Sequence, residues 1–220
     1  MILPVYEWRT VASRIPEMRK GKFKIVKRPI KAGSMLDMHG VFGYDRCLFL
    51  KDSVITVLYE GDLDPARDPK GVWMSDSPFE YYSMWEFVAR TKPSRVLIGG
   101  LGLGILANLL ALRSDIESIK VIEISKEVIE MISPYLNPKV HVIQGDFLRV
   151  IRDLRMEGEE FDTVIVDIFK SGDDVELYED CKLAVFDAYP DAELLFWAFQ
   201  KEFENEQVSY WLAVREVQQR

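Results

Sequence analysis

The sequence is poor in cysteine and carries no recognisable export signal. Its 220 residues include two cysteines, Cys47 and Cys181, which stand far apart without metal-binding spacing. Neither a disulfide framework nor a zinc site is expected, so both thiols should be reduced and partly buried. The first residues, MILPVYEWRT, lack a basic start, an apolar run and a small-residue cleavage site. We therefore expect a cytoplasmic protein without a metal site.

Long apolar segments are also missing. The longest uncharged run lies between Arg95 and Arg113 and has 17 residues, four of them glycine. A membrane-spanning helix needs about twenty apolar residues. Gly100 and Gly104 fit the G-x-x-x-G pattern of membrane helix pairs, but Asn108 and the flanking strand and helix patterns argue against a span. We expect no membrane segment.

Charge is unevenly distributed along the chain. The formal net charge is -8, yet residues 1–50 contain ten basic and four acidic side chains, and residues 151–220 contain seven basic and eighteen acidic ones. The basic excess concentrates in RKGKFKIVKRPIK, residues 19–31. This segment is either a polyanion-binding arm or, as we expect, an edge strand that its lysines protect from aggregation. The acidic remainder makes nucleic acid an unlikely partner and suits a cationic small-molecule substrate.

Two types of pattern divide the chain. Residues 1–75 contain short strand patterns separated by glycine-rich turns, which predicts a small antiparallel β unit of hairpins. A helix should follow, with Ser77 as N-cap, Pro78 at the first helical position and Glu80 completing a capping box. It should end just before Pro93.

Beyond Pro93, strand and helix patterns alternate, which predicts a doubly wound, Rossmann-like α/β fold with a mostly parallel sheet over residues 76–220. In such a fold the ligand binds at the carboxyl ends of the strands. No strand pair is evident after the fifth strand, so we expect a homodimer that covers the sheet edge. The predicted strands are 96–99, 119–124, 139–143, 161–166 and 193–198; helices should start near Leu103, Ser125, Phe147 and Val175, with a last helix over 201–217.

The glycine-rich turn after the first strand of this sheet has two cofactor interpretations. Gly102, Gly104 and Ala107 fit the dinucleotide pattern G-x-G-x-x-A. Gly100, Gly102 and Gly104 fit a turn that cradles S-adenosylmethionine. Glu123, at the end of the next strand, can accept both ribose hydroxyls, but both cofactors contain that ribose. A tight turn without any ligand is a third alternative.

Four segments, VLIGGLGLG, VIEIS, VIQGDF and FDTVIVDIF, resemble in order and spacing the motifs of class I S-adenosylmethionine-dependent methyltransferases. The likeness is closest to the spermidine synthase branch, whose small β domain the amino-terminal hairpins also resemble. It covers roughly residues 40–200. The resemblance implies a transferase that uses S-adenosylmethionine or its decarboxylated form.

Individual roles follow from this resemblance. Glu123 falls on the ribose-binding acid, with Ile124 beside it. Asp146 falls on the residue that binds the adenine amino group, and Phe147 lies beside the ring. From the residues alone, Glu123 and Asp146 could instead be helix N-cap acids. The implied cofactor-binding set is Gly100, Gly102, Gly104, Glu123, Ile124, Asp146, Phe147 and Asp167.

Asp167, at the end of the fourth strand, falls on the acid that faces the methionine part and the acceptor, and it is the catalytic candidate. Tyr82 is a second candidate, for lining the acceptor pocket. Leu103 and Lys170 stand where spermidine synthases carry carboxylates for their amine substrate. We therefore expect methyl transfer to a small or amine-bearing acceptor. Aminopropyl transfer and a non-catalytic nucleoside-binding module are the alternatives.

Overall fold

The computed structural model describes residues 1–63, 65, 68–201 and 203–204. Two sheets precede the first α-helix. Strands β2, β3, β6 and β7 form an antiparallel sheet, and β1, β5 and β4 form a second sheet in which β1 and β5 run parallel. The predicted antiparallel β unit is thus confirmed, with one parallel pairing added. These strands are Ile2–Val5 (β1), Met18–Lys20 (β2), Phe23–Ile30 (β3), Met35–Asp37 (β4), Arg46–Phe49 (β5), Ser53–Glu60 (β6) and Val72–Ser75 (β7).

The remaining strands form one parallel five-stranded sheet, in the order β10-β9-β8-β11-β12. This is the predicted doubly wound, Rossmann-like fold. The last predicted helix, 201–217, falls almost wholly outside the described residues. The elements are Pro78–Arg90 (α1), Arg95–Gly99 (β8), Ile105–Ala111 (α2), Ser118–Glu123 (β9), Lys126–Ile132 (α3), Val140–Gln144 (β10), Phe147–Met156 (α4), Thr163–Val166 (β11), Val175–Ala188 (α5) and Glu193–Phe196 (β12).

Alternating side chains of the parallel strands pack on opposite faces of the sheet. In β8, Val96 and Ile98 join α1, α2 and α3 in one apolar cluster, whereas Leu97 joins α4 and α5 in another. Since successive strand residues point to opposite faces, a sheet covered on both sides requires apolar residues at nearly every position. The uninterrupted apolar runs in the sequence have this cause.

The β unit packs onto the same core as the parallel sheet. Phe23, Leu58 and Met74 from β3, β6 and β7 belong to the cluster that contains Met84 of α1 and Ile98 of β8. The apolar contact is therefore continuous across the predicted boundary at residue 75. It places β7 and the start of α1 against the carboxyl ends of the parallel strands.

The basic segment is not an edge strand along its whole length. β3 pairs with β2 on one side and with β6 on the other, so the edge position belongs to β2. Several of its cations lie within ion-pair distance of carboxylates, and such exposed pairs contribute at most about 1 kcal/mol each. The segment therefore covers the sheet with paired charges. These pairs are Arg19–Asp62, Lys20–Glu130, Lys22–Glu60 and Lys31–Asp52.

Both cysteines are buried, Cys47 in the β unit and Cys181 in α5. Burial, together with the charge of Asp180, raises the pKa of the Cys181 thiol to about 12. Among the described residues, no helix has both the length and the apolar character needed to cross a bilayer.

Two glycines with similar backbone angles allow a test of how closely the strand ends pack. Gly100 has φ +93°, and a Cβ there would lie 2.1 Å from the carbonyl oxygen of Asp167; Gly33 has φ +86° with nothing within 4 Å. Gly33→Ala should lower the unfolding free energy by about 1 kcal/mol, the backbone term alone. Gly100→Ala should lower it by at least about 2 kcal/mol more, because backbone atoms must move. Urea unfolding measures both, and equal losses would contradict the close approach.

Candidate functional site

A cavity of about 810 Å³ lies where the β unit meets the carboxyl edge of the parallel sheet. One wall is formed by residues at the ends of β8, β9, β10 and β11. The opposite wall comes from β7, the first turn of α1 and the turn between β2 and β3. Ends of adjacent parallel strands lie about 4.8 Å apart, so groups distant in sequence converge here.

The glycine turn is shaped first by protein contacts. The approach of Gly100 to the Asp167 carbonyl leaves no room for a side chain, and a Cβ at Gly102 would lie 2.5 Å from the sulfur of Met74. The backbone N–H of Leu103 donates a hydrogen bond to that sulfur at 3.2 Å. Packing within the protein thus accounts for both glycines, as the ligand-free interpretation allowed.

The same turn is a poor phosphate site. The N–H of Leu101 donates to Glu123 Oε2 at 3.0 Å, and the N–H of Gly104 donates to the Leu101 carbonyl at 2.8 Å. With Leu103 bonded to Met74, three N–H groups near the start of α2 already have protein acceptors. A pyrophosphate binds a helix N-terminus through such groups when they are free. The geometry therefore disfavours a dinucleotide.

Glu123 lines the cavity and keeps acceptor capacity. Its Oε2 accepts from Leu101 N–H, and its Oε1 accepts from Ser125 N–H at 2.8 Å. Each carboxylate oxygen has a second lone pair, so two further hydrogen bonds fit. The cap of α3 is Ser125, whose Oγ accepts from Val128 N–H at 3.1 Å. Glu123 is therefore not the cap, and Ile124 beside it lines the cavity with 69% of its surface exposed.

Asp146 is a helix cap as well as a lining residue. Its Oδ1 accepts from the N–H of Arg149 at 3.0 Å and so begins α4. Phe147 and Leu148 continue the same wall. The Phe147 ring packs against β8, since a Cβ at Gly99 would lie 2.7 Å from it. Next to the Asp146 carboxylate there is thus an apolar surface.

Asp167 lines the cavity together with Glu80, which sequence reasoning assigned to a capping box. That assignment is wrong. Ser77 does cap α1, but the Glu80 carboxylate accepts from both the N–H and the Oγ of Ser75, each at 2.7 Å. The backward reach to β7 leaves the Glu80 carboxyl group on the cavity wall.

Both of these carboxyl groups hold protons more tightly than usual. Burial, together with the charge of Asp76, raises the pKa of Glu80 to about 7. Burial and the charge of Glu80 likewise raise the pKa of Asp167 to about 7. Perturbed titration of neighbouring groups in a cavity is typical of functional sites. Near neutral pH the pair can accept or release a proton.

Tyr82 lies away from the cavity. It is two residues after Glu80 on α1, which places it on roughly the opposite side of the helix. Its ring contacts the rings of Trp8 and Phe42 in the β unit and that of its neighbour Tyr81 in α1. Glu80 shares its helix face with the buried Met84, four residues later. This spacing is the one sequence signal that could have indicated Glu80 as a residue facing inwards.

The two positions that depart from the spermidine synthase pattern have different surroundings. Leu103 is 1% exposed in the core. Lys170 lies at the cavity mouth, with its Nζ 5.0 Å from the centre of the Trp73 ring. Trp73 in turn donates from Nε1 to Glu60 at 2.6 Å.

The charges lining the cavity favour a cation. Among the described lining residues, carboxylates outnumber ammonium groups five to two. The resulting negative potential attracts positive ligands and repels a pyrophosphate. The acids are Glu80, Glu123, Glu127, Asp146 and Asp167, and the bases are Lys22 and Lys170.

No model of a known protein family matches the chain, and no curated protein matches it. Among solved structures it is similar to precorrin 8W decarboxylase of Methanobacterium thermoautotrophicum, with 16% identity over 59% of this chain and 69% of that one, at TM-score 0.44. Spermidine synthase of Thermotoga maritima is 17% identical over 62% of this chain and 49% of that one, at TM-score 0.38. A spermidine synthase complexed with the transition-state analogue AdoDATO is 18% identical over 62% of this chain and 51% of that one, at TM-score 0.39. The chain spans about half the length of these synthases, and the likeness assigns no reaction.

The carboxyl pair predicts a distinct pH dependence of stability. A raised pKa in the folded state contributes stability that is full below the unfolded pKa and is lost as pH rises through about 7. Relative to the wild type, Glu80→Gln and Asp167→Asn should each gain about 2–3 kcal/mol of unfolding free energy between pH 4 and pH 8. Urea unfolding across this range measures the difference.

Glu86→Gln is the matched control, because Glu86 is exposed on the same helix. Its difference from the wild type should stay nearly constant with pH. If the two cavity variants behave like this control, the carboxyl groups titrate normally and the account of the pair is wrong.

Proposed function

We propose that the protein is an S-adenosylmethionine-dependent transferase that moves a methyl group to a small, amine-bearing acceptor. The observation that carries the proposal is the convergence of Glu123, Asp146 and Asp167 on one acidic cavity at the carboxyl edge of a doubly wound sheet. This edge is where such sheets bind ligands.

The residues present fit an adenosine group. The free acceptor capacity of Glu123 suits two ribose hydroxyls, and the carboxylate of Asp146 suits an amino group. Ile124, Phe147 and Leu148 offer an apolar surface for a purine ring. The excess of carboxylates suits a positively charged sulfonium better than a phosphate.

When bound, S-adenosylmethionine supplies a methyl group made electrophilic by its sulfonium. The chain itself has to align the acceptor amine and to remove its proton. We assign both tasks to Asp167 and Glu80, whose pKa values of about 7 match proton transfer at neutral pH. Apolar side chains such as Phe79 and Met84 line the same cavity and limit water there. Tyr82 has no part in this assignment.

Aminopropyl transfer has less support. Of the two positions where spermidine synthases carry acids, Leu103 is in the core and Lys170 brings a positive charge. A non-catalytic nucleoside-binding module would not need the half-buried pair of carboxyl groups, Glu80 and Asp167. The homodimer, the cytoplasmic location and the division at residue 75 remain predictions.

Binding of a defined panel tests the cofactor. Calorimetric titration should show S-adenosylmethionine and S-adenosylhomocysteine binding, and NAD not binding. At one hundred times Kd a ligand adds about 2.7 kcal/mol of stability, so thermal unfolding offers a second readout. Binding of NAD alone would contradict the proposal, and preference for decarboxylated S-adenosylmethionine would favour aminopropyl transfer. Turnover with an amine panel then separates an enzyme from a binding module.

Glu123→Gln should weaken S-adenosylhomocysteine binding by about tenfold or more, because a hydrogen bond to a charged group contributes about 1.5–3 kcal/mol. Glu117→Gln serves as the control, since Glu117 is exposed and is not a lining residue of this cavity. Calorimetry measures both variants after their thermal stability has been compared. Unchanged affinity in Glu123→Gln would show that Glu123 does not bind the ribose and only accepts hydrogen bonds from Leu101 and Ser125.

A further inference from the structure

Two of the acids that line the cavity lie in its interior, and one cation lies at its mouth. Glu80 and Asp167 line it on the inside, where burial raises their pKa values to about 7. Lys170 lies at the mouth over the Trp73 ring and is exposed. A ligand that enters past Lys170 with an ammonium group directed inwards therefore leaves its outer end beside a positive charge.

The two cations that line the cavity differ in their pairing. Glu60 is paired with Lys22 at 2.6 Å and accepts the Trp73 indole N–H at 2.6 Å. The Glu60 carboxylate is thus neutralised largely by Lys22, and Lys170 adds a second positive charge nearby. Lys170, by contrast, forms no ion pair with a carboxylate of the described residues.

We propose that the acceptor is amphoteric, with its amine at Glu80 and Asp167 and a carboxylate at Lys170, and that Lys170 selects an amino acid over a diamine. This proposal rests on the proposed function, since it concerns the acceptor of that transferase. A diamine of the same length would place its second ammonium group against Lys170, which is electrostatically unfavourable. An ω-amino acid places opposite charges at both ends.

The distance between Asp167 and Lys170 also limits the length of this acceptor. Lys170 is three positions after Asp167, so their Cα atoms lie at most about 11 Å apart. The two side chains extend towards the cavity and its mouth and shorten the span left for a ligand. Amino acids with chains of about three to six carbons between the two charges suit it.

A matched pair of probes tests the selection: 5-aminopentanoate and 1,5-diaminopentane, titrated at pH 8 with the protein saturated by 5′-methylthioadenosine. This nucleoside lacks the amino acid part of S-adenosylmethionine. No carboxylate of the cofactor can therefore pair with Lys170 and compete with the probes. The wild type should bind the amino acid at least about tenfold more tightly, the effect of one charged hydrogen bond. Lys170→Glu should reverse the preference, and Lys170→Ala should abolish it.

Lys51→Glu is the control, with the same change of charge at an exposed position between β5 and β6 that does not line the cavity. It should keep the wild-type preference. Equal binding of the two probes, tighter binding of the diamine, no binding of either, or the same behaviour in Lys170→Glu and Lys51→Glu would each overturn the proposal.

A separate arm identifies which carboxylate Lys170 contacts. If Lys170→Glu weakens S-adenosylhomocysteine but leaves 5′-methylthioadenosine and the acceptor preference unchanged, Lys170 serves the cofactor and the inference is wrong. If S-adenosylhomocysteine binds while the probes are not discriminated, the inference fails and the proposed function stands. If neither nucleoside binds and the protein alone discriminates the probes, the proposed function fails while the selection by Lys170 stands.

Discussion

The close approach of the glycine turn to the end of β11 is the constraint on which the site depends. Gly100 donates its N–H to Ile122 of β9 at 2.8 Å, and the N–H of Asp167 donates to Gly99 at 2.8 Å. These bonds join the ends of three neighbouring strands. Because Gly100 has no side chain, its backbone can lie directly against the Asp167 carbonyl. The strand ends are therefore close together, and Asp167 and Glu123 line one cavity.

Covering this edge with the β unit has an electrostatic consequence. The strand β7 and the first turn of α1 place Glu80 in the same cavity as Asp167, and partial burial destabilises the charged form of each carboxyl group. A protein selected for stability alone would replace such a pair with apolar residues. The presence of two destabilising acids on the cavity wall is understandable if they move a proton, since catalytic groups need pKa values near the working pH.

The sequence predicted the parallel sheet well because its information is local. Apolar runs, glycine turns and caps identified all five strands, and the structure places them within about two residues of the predicted bounds, which is the usual uncertainty of element ends. The site was predicted in part for the same reason. Gly100, Glu123, Asp146 and Asp167 each follow a recognisable strand, and strand ends of a doubly wound sheet converge whatever lies opposite.

The other wall of the cavity was not predictable in this way. Long-range packing decides which surface of the β unit covers the sheet. The local spacing of residues in the sequence does not indicate this packing. Glu80 has the position of a capping-box residue, and only the path of β7 shows that its partner is Ser75. Tyr82 is predicted to line the acceptor pocket, but the turn of α1 directs it towards Trp8.

The central claim is that this cavity binds an adenosine group linked to a sulfur atom, beside the carboxyl groups of Glu80 and Asp167. A crystal structure of the protein with S-adenosylhomocysteine tests it most directly. The account predicts the ribose hydroxyls on Glu123, the adenine between Asp146 and Ile124, and the sulfur on the side of Asp167 and Glu80. A ligand bound elsewhere, or a ribose that makes no contact with Glu123, would contradict it.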